Sequence, residues 1–263
     1  MKGMEYKDRS GDPELLEALI NDPEWVFQQK MDGTRVMVNL ETLQFSQRNG
    51  TPLKHTAATQ WIPAILEDLA DIGLSGQANT ILDCELLIER GELWVFDVID
   101  PWNLDRPMID RAVELAQLPT GERVRIVPTS MTIDGKRELV EACRNREGVV
   151  AKLRSGAYVP GKRVEHVVKL KNVHRAEVVV MSTSLSPLSA ALGVWTEDGP
   201  RTISRASLIG KDPMIAPGDV VEVDYLAWTG ASLLQPRIVR RRPDKTAEDC
   251  TLGQFMTYSR EAI

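Results

Sequence analysis

The stretch Lys30-Met31-Asp32-Gly33-Thr34-Arg35 governs the reading of this chain, because four short segments downstream complete the chemistry it suggests. These are Asp83-Cys84-Glu85, Phe96-Asp97, Glu147-Gly148-Val149-Val150-Ala151-Lys152 and Lys169-Leu170-Lys171. A lysine in a glycine turn beside a carboxylate suits an amine nucleophile. Such an amine attacks only when unprotonated, whereas a free lysine has a pKa of about 10.4. Neighbouring cations or desolvation lower that value. Lys169 and Lys171 lie two apart, on one face of a strand, and are the cations expected around Lys30 and around a polyphosphate. Gly33 permits a tight turn that lets backbone approach a nucleotide. Taken alone, the same six residues also describe an ordinary surface turn.

Asp83 and Glu85 likewise share one face of a strand, with Leu82, Cys84 and Leu86 on the other. Cys84 therefore reads as a core thiol rather than a nucleophile. Two carboxylates on a buried strand need cations or donors as partners. A ribose hydroxyl and a magnesium ion fit that need, and ordinary ion pairs at a sheet edge are the alternative. Phe96 suits either the core or a stacking platform for a base. Glu147 precedes a β-branched strand and suits a metal ligand, since hydrated magnesium is commonly held by one or two carboxylates plus substrate phosphates. Together the segments describe nucleotidyl transfer to a lysine. The three histidines, His55, His166 and His174, have no metal-ligand spacing.

Outward from these segments, the pattern predicts an α+β fold. Asp12-Pro13 opens a helix ended by Asp22-Pro23, and a second helix spans 61–71 with Pro63 in its first turn. Strands are predicted over 25–29, 35–40 and 43–48. The segments 80–89 and 92–99 read as an antiparallel hairpin through Arg90-Gly91. Short helices over 111–118 and 136–144 precede strands over 148–153 and 166–171. Beyond Asn172 five short strands follow within about 75 residues, the size of a small closed barrel such as an OB-fold. The boundary is placed there, giving domains 1–172 and 173–263.

The net charge of −6 over 263 residues does not advertise a nucleic-acid binder, but its distribution is uneven. Residues 144–171 hold eight basic side chains against two acidic, and Arg237, Arg240, Arg241, Arg242 and Lys245 form a second cluster. Local basic strips of this kind bind phosphate. The three cysteines are widely spaced, which argues against a disulfide framework or a zinc site. No run of about 18 apolar residues and no secretory leader is evident. The expected location is a reducing cytoplasm, the host's if the source is viral, with no membrane contact.

In order and spacing, these motifs resemble the ATP-dependent DNA ligase family within the covalent nucleotidyltransferases, and most of all its small bacteriophage and viral members. Ser46-Gln47-Arg48-Asn49-Gly50 and Pro236-Arg237-Ile238-Val239-Arg240-Arg241-Arg242-Pro243-Asp244-Lys245 match further motifs, so the resemblance covers nearly the whole chain. It implies an N-terminal adenylation domain of antiparallel sheets with flanking helices, followed by a C-terminal OB-fold barrel. Lys30 would be adenylated by ATP, with Asp32, Lys169, Lys171, Asp244 and Lys245 completing the catalytic set. Glu85 would contact ribose and Phe96 would stack on adenine. Gln28, where relatives often carry Glu, would reach adenine through its side-chain oxygen, and Arg35 and Lys152 would join the nucleotide site. Glu85 and Glu147 would hold Mg2+ or Mn2+. Arg35, Arg48, Arg237, Arg240 and Arg242 would contact DNA.

The implied reaction seals nicks in duplex DNA, in repair, replication or recombination. It runs through lysyl-AMP, AMP transfer to a 5′-phosphate, and attack by a 3′-hydroxyl. The expected protein is a monomer; a clamp or end-binding partner is left open. With 29 residues before Lys30, no separate N-terminal DNA-binding domain is expected, and the short 183–189 connection leaves no room for a long DNA-encircling latch. An RNA ligase or an mRNA-capping guanylyltransferase is the nearest alternative, and a non-catalytic nick- or end-binding protein a remoter one.

Overall fold

Asp12 begins the first helix as its residue type predicts. Its carboxylate accepts the Leu15 N–H at 3.0 Å, and Pro13 takes the first helical position, where a missing N–H costs nothing. The computed structural model describes residues 1–256, 258, 259 and 263. Its elements begin β1 (Glu5–Asp8), α1 (Pro13–Asn21), β2 (Trp25–Gln29), β3 (Thr34–Asn39), β4 (Gln44–Gln47), α2 (Thr56–Thr59) and α3 (Ile62–Asp71). They continue with β5 (Ile81–Leu87), β6 (Glu92–Ile99), α4 (Met108–Gln117), β7 (Val124–Ile126), β8 (Thr129–Ser130) and α5 (Ile133–Ala142). Then come β9 (Gly148–Leu153), β10 (Arg163–Lys171), β11 (His174–Leu185), β12 (Leu188–Thr196) and β13 (Gly199–Ser207). The last strands are β14 (Val220–Tyr225), β15 (Ala227–Trp228), β16 (Leu233–Leu234) and β17 (Arg237–Arg241). Two compact units emerge: Met1–Arg144 with Gly148–Leu170, and Asn145–Glu147 with Lys171–Ser259.

The first unit holds two five-stranded sheets, ordered β1-β10-β9-β2-β8 and β4-β3-β5-β6-β7. Side-chain alternation divides each strand between two faces. On β3, Val36 and Val38 join Leu82, Cys84 and Leu86 of β5 against Ile65 and Leu69 of α3, whereas Met37 points the other way. On β9, Val149 and Ala151 pack under Leu19 and Ile20 of α1 and Leu139 of α5, whereas Val150 points to the opposite side. The inward sets, Met37, Ile81 and Ile99 from one sheet and Val150 and Val167 from the other, meet in a shared layer. Each such buried side chain contributes about 1.5–3 kcal/mol. Helices thus cover the outer faces, and the functional cavity opens on the seam between the sheets.

Two details depart from the sequence reading. The sheets are not wholly antiparallel: β1 pairs parallel with β10, and β6 with β7. A parallel neighbour needs a long connection, which the α4 crossover supplies for β6 and β7 and most of the unit supplies for β1 and β10. β1 itself went unpredicted. The β5–β6 hairpin turns tightly at Gly91 (φ +66°), where a Cβ would lie 2.4 Å from the Trp61 ring. Only glycine fits there.

In the second unit a five-stranded antiparallel sheet, ordered β13-β12-β11-β14-β17, wraps one face around Val178, Val180, Leu192, Val194, Val221 and Val223. Phe255 closes this core, stacked on Trp228 at 4.8 Å and edge-on to Tyr225. The expected closed barrel is not seen: among the described residues no ladder joins β13 to β17. The chain instead forms a separate β15–β16 hairpin, and the Ser204 hydroxyl of β13 donates to the Leu233 carbonyl at 3.1 Å. That bond ties β13 to the hairpin and not to β17. β11 and β12 are joined by Ser186 and Pro187 alone. Among the described residues, no helix is long and apolar enough to cross a membrane.

Candidate active site

β2 delivers Lys30 to the seam. The Lys30 N–H donates to the Gly148 carbonyl at 2.9 Å, tying the strand's end to the start of β9. There a cavity of about 390 Å3 opens, lined by Gln28, Lys30, Arg35, Arg48, Glu85, Phe96, Lys152 and Lys169 among the predicted residues. Residues from six strands, up to 141 positions apart, therefore share one site. Gly33 also lines it, for a reason different from the predicted one. A Cβ on Gly33 would meet the Leu86 carbonyl oxygen at 2.5 Å, so glycine is required by the close approach of β5. The Gly33 N–H donates to Glu85 Oε1 at 3.2 Å, which orients that carboxylate at the cavity.

Arg35 is held from every side. Its guanidinium forks onto Asp83 at 2.8 and 2.6 Å and donates to the Met4 carbonyl at 2.7 Å. It lies 4.7 Å from the Tyr6 ring centre and 5.2 Å from that of Phe96. The Tyr158 hydroxyl donates to Asp83 at 2.7 Å and accepts the Met4 N–H at 3.0 Å. Arg35 was expected to reach a DNA 5′-phosphate. Three of its five N–H groups are taken by Asp83 and Met4, because a buried Asp83 requires a cation. It lines the cavity as a fixed wall.

Lys152 is fully buried and donates to the Phe96 carbonyl at 2.9 Å, with Asp97 at 3.6 Å and the Phe96 ring centre at 5.2 Å. Burial pulls its ammonium below the usual lysine range, against the opposing pull of Asp97. Asp97 would itself be raised by burial, but Lys152 and then Arg111 outweigh this and hold it below the usual carboxylate range. Arg111 bonds Asp97 at 2.8 and 3.2 Å. Cys84 is buried in the outer core, and burial raises its thiol well above the usual value, which suits packing and not attack.

Gln28 is oriented without ambiguity. Its amide Nε2 donates to the Phe96 carbonyl at 3.1 Å and to Thr129 Oγ1 at 3.2 Å, and Thr129 spends its own proton on the Val127 carbonyl. Both partners can only accept, so the remaining atom is the oxygen. Gln28 Oε1 is buried and, among the described residues, has no hydrogen-bond partner. The cavity thus presents a fixed acceptor.

The remaining predicted residues divide between the two units. Asp32 lines a separate groove with Thr34, Leu87 and Arg90 and not the main cavity. Lys169 is in the cavity, 3.8 Å from Asp8. Lys171 and Glu147 belong to the second unit, where they pair with each other at 3.2 Å. Also in that unit, Arg240 bonds Glu222 at 3.1 Å, and Arg237 lies on an exposed face. Arg242, expected on DNA, is engaged by Asp244 at 2.9 and 2.7 Å and by Glu177 at 2.5 Å. It is 14% exposed, so it serves as an interior cation for three carboxylates, Glu222 being the third. That Arg242 contact holds the Asp244 carboxyl well below its ordinary range. Lys245 follows in the same segment.

Sequence reasoning missed Glu5, Tyr6, Gln29 and Val150, which also line the cavity, and the supporting Tyr158 and Arg111. Tyr6 and Tyr158 carried a faint signal, being two of only four tyrosines. For a metal, Glu85 and Glu5 supply carboxylates at the cavity, a donor set that fits magnesium held chiefly by substrate phosphates. Among the described residues, no group of three metal-ligating side chains stands ready.

Known proteins resemble the chain in sequence and in fold. The RNA ligase family model matches residues 23–171, more than half of the chain. The multifunctional non-homologous end joining protein LigD of Mycolicibacterium smegmatis is 29% identical over 175 residues, covering 60% of this chain and 23% of LigD. Its Mycobacterium tuberculosis counterpart is 32% identical over 181 residues, with the same coverage. The match thus spans about a quarter of the length of these relatives. Among solved structures, the ligase domain of M. tuberculosis LigD superposes with TM-score 0.52 at 22% identity, over 95% of this chain and 98% of that one. A Lig E DNA ligase gives 0.60 at 15% identity, over 92% and 100%. These two share the fold. The chain belongs to the RNA ligase family, within the ATP-dependent ligase group of nucleotidyltransferases that includes the DNA ligases.

Proposed function

We propose that this chain is an ATP-dependent DNA ligase that seals nicks in duplex DNA. The observation that carries the reading is the cavity that gathers Lys30, Glu85, Lys152 and Lys169 around the fixed acceptor Gln28 Oε1. An acceptor suits the 6-amino group of adenine and repels the 6-oxo group of guanine. That favours ATP over GTP, and so a ligase over a capping enzyme. In the first step the Lys30 amine attacks the α-phosphorus of ATP, a P–N bond forms and pyrophosphate leaves. In the second the DNA 5′-phosphate displaces lysine from the AMP, and in the third a 3′-hydroxyl attacks the activated phosphate and AMP departs.

Glu85 contacts the ribose, Phe96 and Val150 flank the base, and Lys169 faces the phosphates. Arg35, held by Asp83 at the cavity wall, is assigned to the nucleotide and to the 5′-phosphate of the nick. Glu85 would hold magnesium, which would supply neutralisation of the charge on pyrophosphate. Glu147 and Lys171 are assigned to the same chemistry, with Asp32 in a supporting place. The first unit is assigned as the adenylation domain. Residues 173–263 form an OB-type domain whose Asp244 and Lys245 act on pyrophosphate and whose Arg237 and Arg240, with Arg48, contact DNA.

The identity to LigD and the fold shared with Lig E favour DNA as substrate and repair as the setting. A second reading, sealing of RNA, is favoured by the RNA ligase family match. Sealing assays on matched nicked substrates distinguish the two. Strand joining on a DNA nick with ATP and magnesium, lost on chelation, is expected. Joining confined to an RNA nick would replace the DNA assignment.

A further inference from the structure

Gln28 Oε1 is not the only buried polar atom at the cavity without a partner. Among the described residues, the Tyr6 hydroxyl also has none. Tyr6 lines the cavity from β1, beside a break in register: Tyr6 pairs with Val164 but the next residue, Lys7, pairs with Val168. The charged groups acting on the hydroxyl are Arg35, Asp83, Asp97 and Glu85. Burial raises the phenol, so it stays protonated and remains a donor. Buried hydroxyls in folded proteins are nearly always satisfied, which marks this one as awaiting a partner.

The positions of the two atoms indicate what that partner is. β1 and β2 are separated by β10 and β9, three strand spacings or roughly 14 Å. The two side chains thus enter one cavity from strands three places apart, so they meet different parts of a bound nucleotide. The Tyr6 ring packs on Arg35, which shares the cavity with Glu85, the residue proposed for the ribose. We propose that Tyr6 is a specificity-determining residue whose hydroxyl bonds a ribose hydroxyl of the bound nucleotide, so that the site selects ribonucleotides. This rests on the nucleotidyltransferase reading above.

The test is self-labelling of the full chain with ATP, 2′-deoxy-ATP and 3′-deoxy-ATP, comparing the wild type with Tyr6→Phe. The wild type should prefer ATP over one deoxy analogue by about five- to tenfold in kcat/KM, the effect of one hydrogen bond. Tyr6→Phe should lose that preference through a raised KM for ATP. Its thermal midpoint should be no lower, because the variant keeps the ring and removes an unpaired buried hydroxyl. A wild type indifferent to both deoxy analogues overturns the proposal without any variant. An unchanged ribo-to-deoxy ratio in a folded Tyr6→Phe protein overturns it as well. Absence of label from every triphosphate is a different failure, that of the function reading.

Discussion

Replacing Arg111 by methionine tests how the buried charges behind the cavity hold it in shape. Arg111 and Asp97 are each 3% exposed and joined by two bonds, and Arg111 also donates to the Arg106 and Gly156 carbonyls at 2.6 and 3.2 Å. Methionine fills much of the volume but leaves Asp97 with Lys152 alone, 3.6 Å away. Removing one partner of a buried pair costs about 3–5 kcal/mol. For a unit of this size the thermal midpoint should fall by roughly 6–20 °C. The folded-state pKa of Asp97 is depressed, so its stabilisation is complete above the unfolded value of about 3.9 and is lost as pH falls through the lower folded value. The penalty of Arg111→Met should therefore be full at pH 7 and shrink below about pH 4, where the stranded carboxyl can protonate. Urea or thermal melts across that range measure it. Adding Asp97→Leu should recover at least half the loss, because the unpaired carboxylate is gone. A single-variant cost under about 1 kcal/mol, or a double variant no better than the single, would refute the reasoning.

Three further outcomes are expected. Gly33→Ala, with its Cβ 2.5 Å from the Leu86 carbonyl, should destabilise by about 1–3 kcal/mol and slow self-labelling more than tenfold; an unaffected rate would show that the turn adapts. Gln28→Leu should cut the preference for ATP over inosine triphosphate by about tenfold, since the acceptor for the 6-amino group is removed, and steady-state labelling kinetics would reveal it. Binding to nicked duplex should weaken steeply with salt, and Arg48→Ala should lower the log–log slope by about 1, as titrations at several ionic strengths would show.

What the sequence disclosed was local. The Asp12 cap, the β5–β6 hairpin and the alternating β3 and β9 follow from neighbours in the chain, and each formed close to its predicted place. β1 did not reveal itself, because Glu5-Tyr6-Lys7-Asp8 has no apolar alternation and becomes a strand only on meeting β10. Closure of the second sheet depends equally on distant pairing, and there the predicted ladder is replaced by a hairpin and the Ser204 contact. The site divides in the same way. Lys30, Glu85, Phe96 and Lys169 sit in short motifs, whereas their supports span the fold: Tyr158 meets Asp83 across 75 positions and Met4 across 154. The carboxylates that hold Arg35 and Arg242 also come from distant strands and leave no mark on the motifs.

The most direct test of the account is to incubate the protein with magnesium and labelled ATP or GTP, map the labelled peptide, and add nicked DNA to the isolated adduct. The account predicts AMP from ATP attached at Lys30, no label in Lys30→Ala, and discharge of the AMP with sealing of the nick. Label from GTP, label at another residue, or an adduct inert to the nick would contradict it.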